Sequence, residues 1–194
     1  MLCLGHGQLE ASLCGPCRAD LPWRETTQIW RGALPLLATF WFEPPISWMI
    51  NAAKFNKSAA IFGVLGNLMG SGNVGFPAAD FAVCPIPLRW QRQLGRGFNQ
   101  SQLLGQALAQ RFGWSLEPTW LSRRGDGRSQ KTLGRSARLA LTAGAFEVRS
   151  EVAGRRVLLV DDVCTTGATL RAAREAVVAA GAAEVAAWVC AAVR

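Results

Sequence analysis

The sequence predicts an α/β protein, a mostly parallel sheet with helices packed on its faces. Short apolar runs at 36–42, 80–85, 157–160 and 183–193 alternate with segments whose apolar residues recur every three or four positions. The run Val157-Leu-Leu-Val160 is apolar throughout instead of alternating with polar residues, as befits a strand covered on both sides. At 194 residues, half of them hydrophobic, the chain can bury one sizeable core.

In chain order, residues 1–30 carry cysteines, prolines and tryptophans without clear periodicity and read as a small appendage. Residues 31–194 form the main domain. Its first strand is 36–42, stopped by Pro44-Pro45. Ile46, Met49, Ile50 and Ala53 suit a short amphipathic helix. Ser58 stands where it can cap a second helix bearing Ile61, Phe62, Leu65, Leu68 and Met69. After a loop at 70–73 comes the strand 80–85, a basic turn, and a helix from Gly97 to Phe112 with Leu104, Leu108 and Phe112 in register. Residues 119–121 and 145–148 read as short strands flanking a long, basic, glycine-interrupted segment at 122–141. The strand 157–160 and a helix bearing Leu170, Ala173, Val177 and Ala180 follow, with Gly181 at its C′ position. Residues 183–193 form the last strand.

The formal net charge of +8 points to acidic partners: phosphorylated ligands, nucleic acid or an anionic surface. The longest uncharged stretch, 58–79, is broken by Gly63, Gly66, Gly70, Gly72 and Pro77, so no membrane insertion is expected. The N-terminus lacks the basic and apolar regions of a signal peptide, which makes the cytoplasm the expected compartment and the cysteines thiols or metal ligands.

The chemistry concentrates at 156–170. The apolar run ends in paired carboxylates, Asp161 and Asp162, followed by the turn Thr165-Thr166-Gly167-Ala168-Thr169 and a helix. A hydroxyl- and glycine-bearing turn that opens a helix binds anions, because free N–H groups and the helix dipole both favour negative charge. Adjacent carboxylates repel a second phosphate but suit ribose hydroxyls and Mg²⁺. Together they describe a site for a ribose phosphate.

These residues resemble the phosphoribosyl pyrophosphate (PRPP) signature of type I phosphoribosyltransferases: four apolar residues, two acids, two variable residues and Thr-Thr-Gly. Arg96-Gly-Phe-Asn-Gln-Ser101, downstream of Cys84-Pro-Ile-Pro87, narrows the resemblance to the bacterial ComF family, which includes the competence protein ComFC. Lys54-Phe55 resembles that family's early Lys-aromatic pair. The stretch from Gln130 to Arg138, followed by Gly144-Ala-Phe146, resembles its central basic motif. Leu141 stands where many members carry Asn.

The resemblance implies a type I phosphoribosyltransferase-like fold that binds Mg²⁺ with PRPP, or ribose 5-phosphate. Asp161 and Asp162 would serve the ribose and metal, and Thr165, Thr166, Gly167, Ala168 and Thr169 the 5′-phosphate. Arg89, Arg92 and Arg96 are candidates for the pyrophosphate, since guanidinium forks suit its charge. Arg128, Lys131, Arg135 and Arg138 would belong to a lid over the site or contact a nucleic-acid backbone. Family members often begin with a zinc module. Here Cys3, His6, Cys14 and Cys17 offer a Cys₃His set for Zn²⁺, unless a further cysteine precedes Met1. Three roles are compatible with these residues: a phosphoribosyltransferase, a non-catalytic module for single-stranded DNA or a competence helicase-like partner, and a PRPP-sensing regulator. The resemblance links all of them to DNA uptake or utilisation.

Overall fold

The computed structural model describes residues 13–24, 28–31, 34–71, 80–89, 94–124 and 144–194. The strands are β1 (Gln28–Arg31), β2 (Leu34–Trp41), β3 (Ala82–Pro85), β4 (Ser115–Leu116), β5 (Leu121–Arg123), β6 (Phe146–Val148), β7 (Arg156–Cys164) and β8 (Glu184–Ala192). The helices are α1 (Gly15–Ala19), α2 (Ile46–Phe55), α3 (Ala59–Gly70), α4 (Gln100–Phe112) and α5 (Ala168–Ala179).

One sheet runs β1-β2-β8-β7-β3-β4. Every pairing in it is parallel except β1 with β2. Strands β5 and β6 form a separate antiparallel ribbon. The parallel α/β expectation therefore holds. β1 and β4 are additional, because four- and two-residue edge strands carry too few residues to show a periodicity.

The apolar run forms the centre of β7, and its side chains divide between two cores. Leu158 and Val160 join Phe40, Ile50, Phe62, Leu65, Leu104, Leu108 and Trp188 on the face covered by α2, α3 and α4. Val157 and Leu159 join Leu36, Ala82, Val189, Leu170, Ala173 and Val177 on the face covered by α5. Burying each such Val or Leu contributes ~1.5–3 kcal/mol, which explains why the run tolerates no polar residue. The strand does not stop at the carboxylates. It continues to Cys164 because its pairing with β8 persists, with Val163 opposite Ala191 and Cys164 opposite Ala192.

Helix α4 begins at Gln100, three residues later than the pattern of apolar residues suggests, because Gly97 takes φ +81° and Asn99 caps the helix. The Asn99 side chain accepts from the Ser101 N–H at 3.1 Å and donates to the Ile86 carbonyl at 3.1 Å, fastening the helix start to the end of β3. Ser58 does occupy the N-cap position of α3, without a capping hydrogen bond from its side chain. Helices α3 and α4 approach closely at Gly66, where an added Cβ would lie 2.6 Å from the Ala107 Cβ. Gly181 takes φ +90° after α5 and donates to the Val178 carbonyl, as its C′ position requires.

Of the N-terminal segment, residues 13–24 and 28–31 are described. Leu21 is buried in the core, the Trp23 ring lies 4.6 Å from Phe40, and its indole N–H donates to the Arg18 carbonyl. This part packs against β2. Among the described residues, no helix is long and apolar enough to cross a membrane.

Candidate functional site

The chain leaves β3 through α4 on one face of the sheet and leaves β7 through α5 on the other. β3 and β7 are neighbours, so their carboxyl ends bound a crevice where the winding direction switches. Open α/β sheets bind ligands at such a switch. Asp161 and Asp162 stand there, and each is held by a residue from a different helix.

The Asp161 Oδ1 accepts from the Ser101 hydroxyl at 2.9 Å and from the Asp162 N–H at 2.9 Å. Burial and the neighbouring Asp162 carboxylate push Asp161 up to about 7, against the opposing pull of those two donors. Asp162 is 5% exposed, and its Oδ2 forms an ion pair with the Lys54 ammonium from the last turn of α2. Ser101 thus shows what the Arg96–Ser101 motif accomplishes: Asn99 fixes the helix start, the Arg96 guanidinium donates to Gln100, and Ser101 orients a carboxylate.

Beyond β7 the turn lifts Thr165 and Thr166 into solvent while Gly167 is buried at φ +75°. The Ala168 N–H donates to Thr166 Oγ1 at 3.4 Å, and Arg171 brings its guanidinium to the Thr166 carbonyl at 3.2 Å. The exposed Thr165 and Thr166, the first N–H of α5 and the Arg171 guanidinium thus lie together at the turn that follows the two carboxylates.

The remaining expected site residues are spread more widely. Arg89 is exposed after β3, Arg96 is tied to α4, and Arg92 lies outside the described residues. Arg128, Lys131, Arg135 and Arg138 also lie outside them, in the segment joining β5 to β6. Arg123, which the sequence places in that basic segment, belongs to β5, donates to the Pro87 carbonyl at 2.7 Å and covers the Phe146 ring. Cys14 precedes α1 and Cys17 is buried within it, while Cys3 and His6 are outside the described residues. Among the described residues, no three His, Cys, Asp or Glu side chains cluster to hold a metal ion. Lys54 already neutralises Asp162 through Oδ2, so a Mg²⁺ ligated directly by both carboxylates would compete with it and does not fit this arrangement.

Sequence reading missed Ser101, Lys54 and Arg171 as site residues. Ser101 and Lys54 lay inside recognised motifs but had no readable partner; Arg171 sits four residues beyond Gly167 and carried no signal of its own.

The phosphoribosyl transferase domain profile matches residues 100–194. The DNA utilization protein YhgH of Salmonella typhi is 30% identical over 191 residues, covering 95% of this chain and 78% of that protein. The chain belongs to the ComF family. Competence protein F of Haemophilus influenzae is 34% identical over 55% of this chain and 48% of its own length. Competence protein ComFC of Bacillus subtilis is 35% identical over 49% of this chain and 37% of its own length. Among solved structures, the chain is similar to a glutamine PRPP amidotransferase from B. subtilis, with a TM-score of 0.47 and 24% identity over 69% of this chain and 26% of that one. TT1426 from Thermus thermophilus is also similar, with a TM-score of 0.43 and 17% identity over 66% of this chain and 72% of that one. The Asp161–Asp162 crevice of this ComF-family chain sits on a type I phosphoribosyltransferase-like sheet.

Proposed function

We propose that the crevice binds a ribose 5-phosphate group, with PRPP as the ligand class, in a protein that serves DNA utilisation. The observation that carries this reading is the polarity of the crevice. Asp161 and Asp162, fixed by Ser101 and Lys54, face one end, and the hydroxyl-lined start of α5 forms the other. The carboxylates accept from the ribose 2- and 3-hydroxyls, and Thr165 to Thr169 receive the 5′-phosphate. In this reading Mg²⁺ arrives chelated by the ligand's own pyrophosphate. Positioning by fixed groups is what such a site contributes.

Calorimetric titration of ribose 5-phosphate and PRPP into the protein, and into Asp161→Asn/Asp162→Asn, tests the reading. Binding to the wild type and none to a folded double variant is expected. Equal affinity for both removes the carboxylates from the site. Pyrophosphate release on adding nucleobases to bound PRPP identifies a transferase, and tight binding without turnover identifies a ligand-sensing role.

A second reading concerns the outer surface of α2. Trp48 and Phe55 are 62% and 87% exposed, seven residues apart on one helix face. The relatives are named DNA utilization and competence proteins, and exposed aromatic rings on a basic protein suit stacking by unpaired bases. Single-stranded DNA is the partner this surface fits, with a helicase-like protein as the agent that delivers it.

A further inference from the structure

We propose that Lys54 is the built-in counter-ion of the paired carboxylates. It takes at Asp162 the place a divalent cation would otherwise fill, so the ribose end of the ligand binds without a protein-held Mg²⁺. This rests on the reading of the crevice as a ribose-phosphate site and adds how that site is neutralised.

Two adjacent carboxylates, one of them buried, are costly unless a positive charge accompanies them. Mg²⁺ meets that need in many phosphate sites, but it demands near-octahedral oxygen ligands and surrenders water reluctantly. Here one oxygen of each carboxylate is already engaged, which leaves the other two for ribose hydroxyls. Asp161 Oδ1 takes both the Ser101 hydroxyl and the Asp162 N–H, and Asp162 Oδ2 takes Lys54. No third acidic, histidine or cysteine side chain joins them among the described residues.

Lys54 is placed for this task by its helix. It lies in the last turn of α2, where the helix dipole favours a cation. On a helical wheel it stands between the buried Ile50 and Ala53 and the exposed Asn51 and Phe55, so its stem runs from covered to open surface. Its side chain keeps 25% exposure, against 8% for that of Asp162. The ammonium is therefore reachable from the crevice, and an ammonium has three donors, of which one suffices for the carboxylate. The others can meet ribose oxygens.

Two titrations on the full chain judge the proposal. In the first, Mn²⁺ is followed by electron paramagnetic resonance. The wild type is expected to show no site at the carboxylates. Lys54→Gln is expected to gain one, with affinity raised by about tenfold or more. Adding Asp162→Asn to Lys54→Gln should remove it, and Lys54→Arg should behave as the wild type. Equal Mn²⁺ binding by wild type and Lys54→Gln, or no gain in Lys54→Gln, overturns the proposal.

In the second, ribose 5-phosphate is titrated with Mg²⁺ or with EDTA. Wild-type affinity should be the same in both. Lys54→Gln should bind about tenfold more weakly in EDTA and recover with Mg²⁺. A wild type that needs Mg²⁺ overturns the counter-ion role. A wild type that binds no ribose 5-phosphate in either condition overturns the ribose-phosphate reading, while the Mn²⁺ experiment still decides on Lys54.

Discussion

The Ser101 hydroxyl donates to Asp161 Oδ1 at 2.9 Å across 60 residues of sequence, joining the first turn of α4 to the far end of β7. One hydrogen bond thereby links the two strands that flank the crevice, since Asn99, two residues earlier, is bonded to the Ile86 carbonyl just past β3. The motif around residues 96–101 is a clamp on the carboxylate.

Ser101→Ala should remove that clamp. Asp161 loses a donor that lowers its pKa, so its titration moves further upward. Above that titration the charged form loses about 1.5–3 kcal/mol of hydrogen bonding, read by urea denaturation at pH 8. Unchanged stability at pH 8 would show that water replaces the serine without loss.

The raised Asp161 pKa sets a pH dependence with a definite sign. A carboxyl whose native pKa exceeds its unfolded value holds an extra proton in the native state between the two titrations. Its contribution is fullest below about 3.8 and is lost as pH rises to about 7. Asp161→Asn imitates the protonated form. The variant should match the wild type in melting temperature at pH 4 and exceed it at pH 8, by on the order of 1 kcal/mol or more. A variant less stable than the wild type at pH 8 refutes the assignment.

Gly66→Ala should destabilise the protein by about 1–3 kcal/mol, because its new methyl meets Ala107 where α3 and α4 touch. The double variant Gly66→Ala/Ala107→Gly should recover part of the loss. Thermal denaturation of all three proteins checks the coupling, and strictly additive effects would place the strain elsewhere.

The parts of the molecule legible in the sequence are those governed by local rules. The continuous run 157–160 announces a strand buried on both faces, and Gly181 ends α5 as its position predicts. Asp161, Asp162 and the 165–169 turn form a compact signature because all are neighbours along the chain. What stayed hidden depends on distant partners. The Lys54–Asp162 ion pair exists because α2 ends above β7, a packing outcome that no spacing encodes. The extension of β7 past its carboxylates depends on β8, whose backbone supplies partners regardless of side-chain type. Arg123 looked like one more loop cation, yet the β5–β6 pairing turns it toward Pro87 and Phe146.

The exposed rings of α2 yield the last prediction. Trp48 and Phe55 stand two helical turns apart, about 10 Å along the axis, a spacing that suits non-adjacent bases of an extended strand. Leaving two large rings in water has no benefit for folding, so replacing them should cost little stability. Trp48→Ala and Phe55→Ala should keep the wild-type melting temperature but each weaken single-stranded DNA by about 1–3 kcal/mol of lost stacking. Fluorescence anisotropy with a labelled oligonucleotide measures this, at low and at physiological salt. Binding should fall steeply with salt in all three proteins, because phosphate neutralisation by the basic surface is separate from stacking. Loss of DNA binding should leave ribose 5-phosphate affinity intact, since neither ring holds Asp161 or Asp162. Wild-type DNA affinity in both single variants would exclude the α2 face as the stacking surface and leave the basic segment between β5 and β6 to carry the contact.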